Sequence, residues 1–159
     1  MTASRARPGS DLPLAEHRFF HGMDPGFLSE LAAHAYAREF DTGSLLVREG
    51  DPAEEFLLLF HGKVALEIEL PDRPRRTLQT VGPGEVLGWS WLVPPHRWRL
   101  DGRALKPTRV LGLSASHLRS AFEARPEQGY RFLLRLVPVI AQRLENTRIQ
   151  LLDLHGAPR

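Results

Sequence analysis

The sequence predicts a mainly β fold with flanking helices, arranged as a barrel, roll or sandwich. Three observations carry this. From Arg38 onward, short apolar runs alternate with glycine and proline turns at regular spacing. Within that region Val64, Leu66, Ile68 and Leu70 alternate with Ala65, Glu67 and Glu69, as in a strand with one buried face. Before and after it, apolar residues recur at helical spacing instead.

Taken in order, residues 1–13 are polar, contain Pro8, Gly9 and Pro13, and are expected to form a flexible arm. Asp24-Pro25 reads as an N-cap followed by proline at the first helical position. Phe27, Leu28, Leu31, Ala32 and Ala35 continue an amphipathic helix to about Tyr36. Strands follow around Phe40, over Leu45–Val47, over the apolar run Phe56–Phe60, over Val64–Leu70 and over Thr77–Val81. Pro71-Asp72-Arg73-Pro74 supplies the turn between the last two. Thr108–Leu113 is the final strand, and Ser114 or Ser116 caps a helix from His117 to about Ala124.

Beyond Pro126, Leu133, Val137, Ile140, Leu144, Thr147, Leu151 and Leu154 recur at alternating spacings of four and three, a heptad seam. Pro138 inside it predicts a kink or a late helix start. The seam either packs on the chain's own β region or pairs with a second copy. A parallel dimer through Leu133, Val137, Ile140, Leu144 and Leu151 is the expected use. The division is therefore an arm (1–13), a helix with its β region (14–125), and a C-terminal helix (126–159) for dimerisation or signalling.

Composition narrows the function. The 159 residues suit one domain, 42% apolar and 25% charged. No apolar run approaches the roughly 20 residues that span a bilayer, and no signal peptide is visible, so a cytoplasmic protein is expected. Without cysteine, disulfides, thiolate metal sites and a cysteine nucleophile are excluded. A net charge of +2 is little electrostatic footprint for nucleic acid. The seven histidines are scattered, with no metal-ligand spacing. Gly88-Trp89-Ser90-Trp91-Leu92 lacks the second glycine of a nucleophile elbow. Glu67 and Glu69 share one strand face and read as solvated. No catalytic residue, metal site or cofactor is expected, and no enzyme.

The informative segment runs from Gly84 to Arg103 and holds all three tryptophans within ten residues. Together with Phe40-Asp41-Thr42-Gly43, Glu49-Gly50-Asp51 and the apolar strand ending at His61-Gly62, its glycines Gly84 and Gly88 resemble the cyclic nucleotide-binding domain family. The resemblance covers roughly Phe19 to Leu154. It implies an eight-stranded β-roll, jelly-roll-like, with a long C-terminal helix and ligand held inside the roll. It also implies a phosphate-binding cassette in which a glycine, backbone amides and a helix end meet the cyclic phosphate. In the family an arginine neutralises the phosphate, and a glutamate accepts from the ribose hydroxyl.

Aligned on the strands, Gly88 takes the cassette glycine's place and Trp89 the glutamate's, while Glu85 is a turn residue. Trp98 falls at the phosphate arginine, flanked by Arg97 and Arg99. The candidate ligand-binding residues are thus Val86, Leu87, Gly88, Trp89, Ser90, Trp91, Arg97, Trp98 and Arg99. An indole accepts no hydrogen bond from a hydroxyl. Losing that contact costs about 1–3 kcal/mol, or one to two decades of affinity.

Three readings follow: a bacterial sensor of a small anionic ligand with an atypical cassette, a ligand-free interaction module whose roll the tryptophans fill, or a true cyclic AMP or cyclic GMP binder with a rearranged cassette. A homodimer and a protein partner fit the first two. The family's transcription factors place a DNA-reading helix-turn-helix after the long helix. The sequence stops at Arg159, so direct DNA binding is not expected.

Overall fold

The computed structural model describes residues 7–8 and 12–154. Among the described residues nine strands lie in two antiparallel sheets. The first has the order β1 (Arg7–Pro8), β2 (Tyr36–Phe40), β9 (Thr108–Ser114), β4 (Glu55–His61) and β7 (Val86–Leu87). The second has the order β3 (Leu45–Val47), β8 (Asp101–Ala104), β5 (Val64–Ile68) and β6 (Arg76–Val81). Strands β2–β9 make an eight-stranded roll, and the two-residue β1 edges it. The helices are α1 (Pro25–Ala33), α2 (Ala115–Ala124) and α3 (Pro126–Leu154). Most of the expected arm lies outside the described residues. Within it, Arg7 and Pro8 pair with Ala37 and Tyr36, and Leu12 is buried.

Strand β4 explains why Phe56–Phe60 is apolar without alternation. Phe56 and Leu58 join a cluster between the first sheet and the helices, whereas Leu57 and Leu59 join a second cluster inside the roll. A strand buried on both faces has no polar side to show. The helix-side cluster is strongly aromatic, with Phe19, Phe20, Phe56, Trp91 and Phe132 packed edge to face.

Several boundaries differ from expectation. Helix α1 is capped as predicted, Asp24 Oδ2 accepting from the Phe27 amide at 2.8 Å. It stops at Ala33, because the chain must enter β2 at Tyr36 to pair with Gly112. Helix α2 starts at Ala115 with Ser114 in the N-cap position, two residues before the predicted start. The Ser114 hydroxyl bonds the Ser116 hydroxyl at 2.9 Å and caps no amide. Strand β5 ends at Ile68, and β7 and β8 are strands that the tryptophan-rich segment concealed. Helix α3 is continuous through Pro138, with no late start.

Helix α3 buries Phe132 and Leu136 in the helix-side cluster, with Val139 and Ile140 against it. Further along it passes over the second sheet, where the Gln150 amide donates to the Leu78 carbonyl. Leu133 (41% exposed), Val137 (57%), Leu144 (62%) and Leu151 (53%) are left open to solvent.

Candidate ligand-binding site

The segment that the sequence singles out begins on β7, where Leu87 and Val86 pair with Leu57 and Leu58 of β4. It then reaches Gly88 at φ 110°, a left-handed conformation. A Cβ there would stand 2.8 Å from Trp98 Cη2 and 3.0 Å from the Glu55 carbonyl oxygen. Both backbone and space therefore demand glycine, and the space above it is taken by the Trp98 indole.

One 3-10 turn follows, Ser90–Leu92. It swings Trp91 away from the roll interior into the helix-side cluster, fully buried. The ring centroid of Trp91 lies 6.1 Å from that of Phe56, 6.3 Å from Phe122 and 6.0 Å from Phe132. Its indole N–H donates to the Gly88 carbonyl at 2.8 Å, closing the turn on itself. The Arg119 guanidinium donates to the Trp91 carbonyl from α2.

The chain returns through the cis Pro94–Pro95 peptide and zips along the β3–β4 connection. The Trp98 amide donates to Asp51 O at 2.9 Å, and the Gly50 amide donates to Trp98 O at 2.8 Å. This pairing fixes which side chains turn inward. Arg97 points out and donates to the Gly50 carbonyl at 2.7 Å. Trp98 points in over Gly88. Arg99 lies 5.5 Å from the Trp89 ring centroid, a cation–π contact.

Together these residues wall a cavity of about 380 Å³ between the roll, the cassette segment and α3. Its lining includes Leu87, Gly88, Trp89, Ser90, Trp98 and Arg99 from the predicted set. Trp91 and Arg97 are not in the lining, and Val86 opens on a neighbouring cavity instead. The rest comes from Val47, Leu66, Leu78, Gln79 and Leu100, and from Ile140, Arg143, Leu144 and Thr147 of α3. The cavity is thus largely apolar, with two guanidinium groups and no carboxylate.

Arg143 is half-buried and donates to the Val86 carbonyl, while its Nε is buried without an acceptor. Loss of hydration lowers its pKa from the usual arginine value, and the nearby Glu85 carboxylate offsets part of that. Glu85 is exposed and its Oε2 accepts from the Gly82 amide at 2.6 Å, so it shapes the turn and lies outside this cavity. Of the α3 residues, Arg143 gave no sequence signal and the others were legible only as a heptad stripe. Ile140, Leu144 and Thr147 of that stripe face the chain's own cavity.

Residues 37–125 match the cyclic nucleotide-binding domain family. The chain belongs to this family. It is 26% identical over 141 residues to a CRP-like cAMP-activated global transcriptional regulator of Mycobacterium tuberculosis, covering 89% of this chain and 61% of the relative. The chain thus spans less than two thirds of that relative's length. Among solved structures, the N-terminal domain of a transcriptional regulator from Streptomyces coelicolor is 29% identical, with a TM-score of 0.66 over 87% of this chain and 94% of that one. A cyclic nucleotide-binding domain from Methylobacillus flagellatus superposes with a TM-score of 0.78 at 20% identity, covering 92% of this chain and 84% of that one.

The family's roll is thus in place. Among the described residues no helix is long and apolar enough to cross a membrane, and no group of three or more His, Asp or Glu is arranged to hold a metal.

Proposed function

We propose that this domain is a regulatory sensor that holds a small anionic ligand with an apolar, planar body. The observation that carries this is the composition of one cavity. Trp89, Trp98 and Arg99 of the cassette face Ile140, Arg143 and Leu144 of α3, with no carboxylate between them. Two indoles offer stacking surface, and guanidinium groups meet an acid by charge-assisted hydrogen bonds.

Cyclic AMP in the family's ordinary pose fits less well. Trp89 offers its ribose no carboxylate, and Trp98 covers the glycine that would face its phosphate. The cavity favours a sensor over a ligand-free module, since the tryptophans leave about 380 Å³ open, within the usual range of ligand pockets.

Signalling follows from who walls the cavity. A ligand that touches cassette and α3 together binds best with α3 in one position, and it shifts the population toward that position. The exposed row Leu133, Val137 and Leu151 is where a second copy would read the shift.

Tryptophan emission titrated with phenylacetate, cyclic AMP and cyclic GMP tests the reading. A saturable change with phenylacetate is expected, lost in Arg99→Gln, with cyclic nucleotides weaker. Saturation at micromolar cyclic AMP would replace the proposal with a true cyclic nucleotide binder, and no response to any of the three would overturn both.

A further inference from the structure

Arg143 also lines a second cavity, of about 400 Å³, on the far side of the cassette turn. This one lies between the N-terminal segment at Arg18–Phe19, the turn at Gly84–Val86, and α3 from Arg135 to Arg143. Three guanidinium groups border it, those of Arg18, Arg135 and Arg143.

Several arginines of the roll face carboxylates, such as Arg38 with Glu55 at 2.7 Å and Arg103 with Glu67 at 2.8 Å, while Arg97 and Arg99 are single cations on its surface. Among the described residues, Arg18, Arg135 and Arg143 form no ion pair. Arg135 donates to the carbonyls of Phe19, at 2.9 Å, and His21. Arg143 donates to the Val86 carbonyl and keeps a buried Nε without an acceptor. The Arg18 guanidinium lies over Gly84, its Cζ 3.4 Å from where a Cβ on that glycine would sit. Glu85 is the one carboxylate in the lining; its charge acts on Arg143, and it is a single anion against three guanidinium groups.

Carbonyls satisfy hydrogen-bond geometry but do not neutralise charge. Three like charges brought to one cavity repel each other, and they do so more strongly as water is excluded. The chain holds them together without a matching set of anions. A tetrahedral, multiply charged group answers that arrangement better than a single carboxylate, because its oxygens can meet several guanidinium forks at once. Phe19, Val86, Pro138 and Val139 give the cavity apolar walls for the rest of such a molecule.

We infer that this cavity is a second ligand site, which takes the phosphate or diphosphate group of a phosphorylated small molecule between the N-terminal segment and α3. It stands whether or not the aromatic cavity binds anything.

Titration calorimetry of the full chain with inorganic pyrophosphate, near 0.15 M salt, is the test. Saturable binding is expected, weakened about tenfold or more in Arg18→Glu, since a charge-assisted hydrogen bond is worth about 1.5–3 kcal/mol. Arg18 is exposed and makes no side-chain hydrogen bond among the described residues, so this variant should melt like the wild type. Arg131→Glu makes the same charge change at an exposed α3 position off the cavity, and should bind within about twofold of the wild type. Absence of saturable binding at millimolar pyrophosphate, unchanged binding in Arg18→Glu, or equal loss in Arg131→Glu would each overturn the assignment.

Discussion

Trp91 and Trp98 stand seven residues apart on one loop and do opposite work. Trp91 falls on the helix side of the first sheet, where its ring is fully buried among Phe56, Phe122 and Phe132 and its N–H is satisfied by Gly88. Trp98 falls on the roll side, half-buried over Gly88, with open space beyond it. One side of this loop is filled and the other is open. The residue type does not decide which; the 3-10 turn at Ser90–Leu92 and the pairing of Trp98 with Asp51 do.

The comparison breaks first on stability. Trp91→Ala removes a fully buried ring and should cost about 3–5 kcal/mol. For a chain of this length that lowers Tm by on the order of 10 °C in calorimetry. Trp98→Ala should cost only about 1–2 kcal/mol, since less apolar area leaves water contact. Its larger effect should be on ligand titration, where the tryptophan response falls by half or more. Equal Tm losses for the two variants would mean that both sides are filled, and the cavity reading would fail.

This asymmetry also measures what the sequence could disclose. Most of the strands, the Asp24 cap and the glycine turns were legible because they depend on neighbours in sequence: short apolar runs between turns, and a side-chain cap three residues from its amide; within β5 the alternation is imperfect, since Ala65 is as buried as Val64 and Leu66. Gly88 was legible as a special backbone position. The inward and outward choices at Trp91, Arg97 and Trp98 were not, because β7, the 3-10 turn and the β3–β4 connection set them through contacts some 30–50 residues apart. Arg143 gave no sequence signal as a site residue. It is one arginine among many, and only the path of α3 over the cassette brings it to the cavity.

That path divides the heptad stripe, and a smaller effect tests the division. Ile140 lines the cavity, whereas Val137 is 57% exposed. Val137→Asp should leave Tm within about 1 kcal/mol of the wild type, as exposed substitutions usually do, yet give monomers in sedimentation if a dimer forms along that face. Ile140→Asp buries a carboxylate beside the aromatic cavity and should lower Tm as well. A wild type that sediments as a monomer at all concentrations ends the dimer proposal and leaves the cavity untouched.

The smallest expected effect sits on the filled side. His17 is buried against Phe60, its ring centroid 5.0 Å away. Its Nδ1 accepts from the Phe19 amide at 3.2 Å, which leaves Nε2 to donate to the Leu59 carbonyl at 2.9 Å. Burial lowers its pKa below the ordinary value of about 6.5, with the Leu59 carbonyl partly opposing. The folded state therefore binds this proton later than the unfolded chain does. Stability from His17 is complete above about pH 6.5 and declines as pH falls toward the lowered pKa. The decline is at most about 1.4 kcal/mol per pH unit for one proton. Urea midpoints measured from pH 7.5 down to 5.5 should fall more steeply in the wild type than in His17→Gln, which keeps a donor but cannot titrate. Parallel slopes would show that His17 is charged in the fold, and that the filled side admits water.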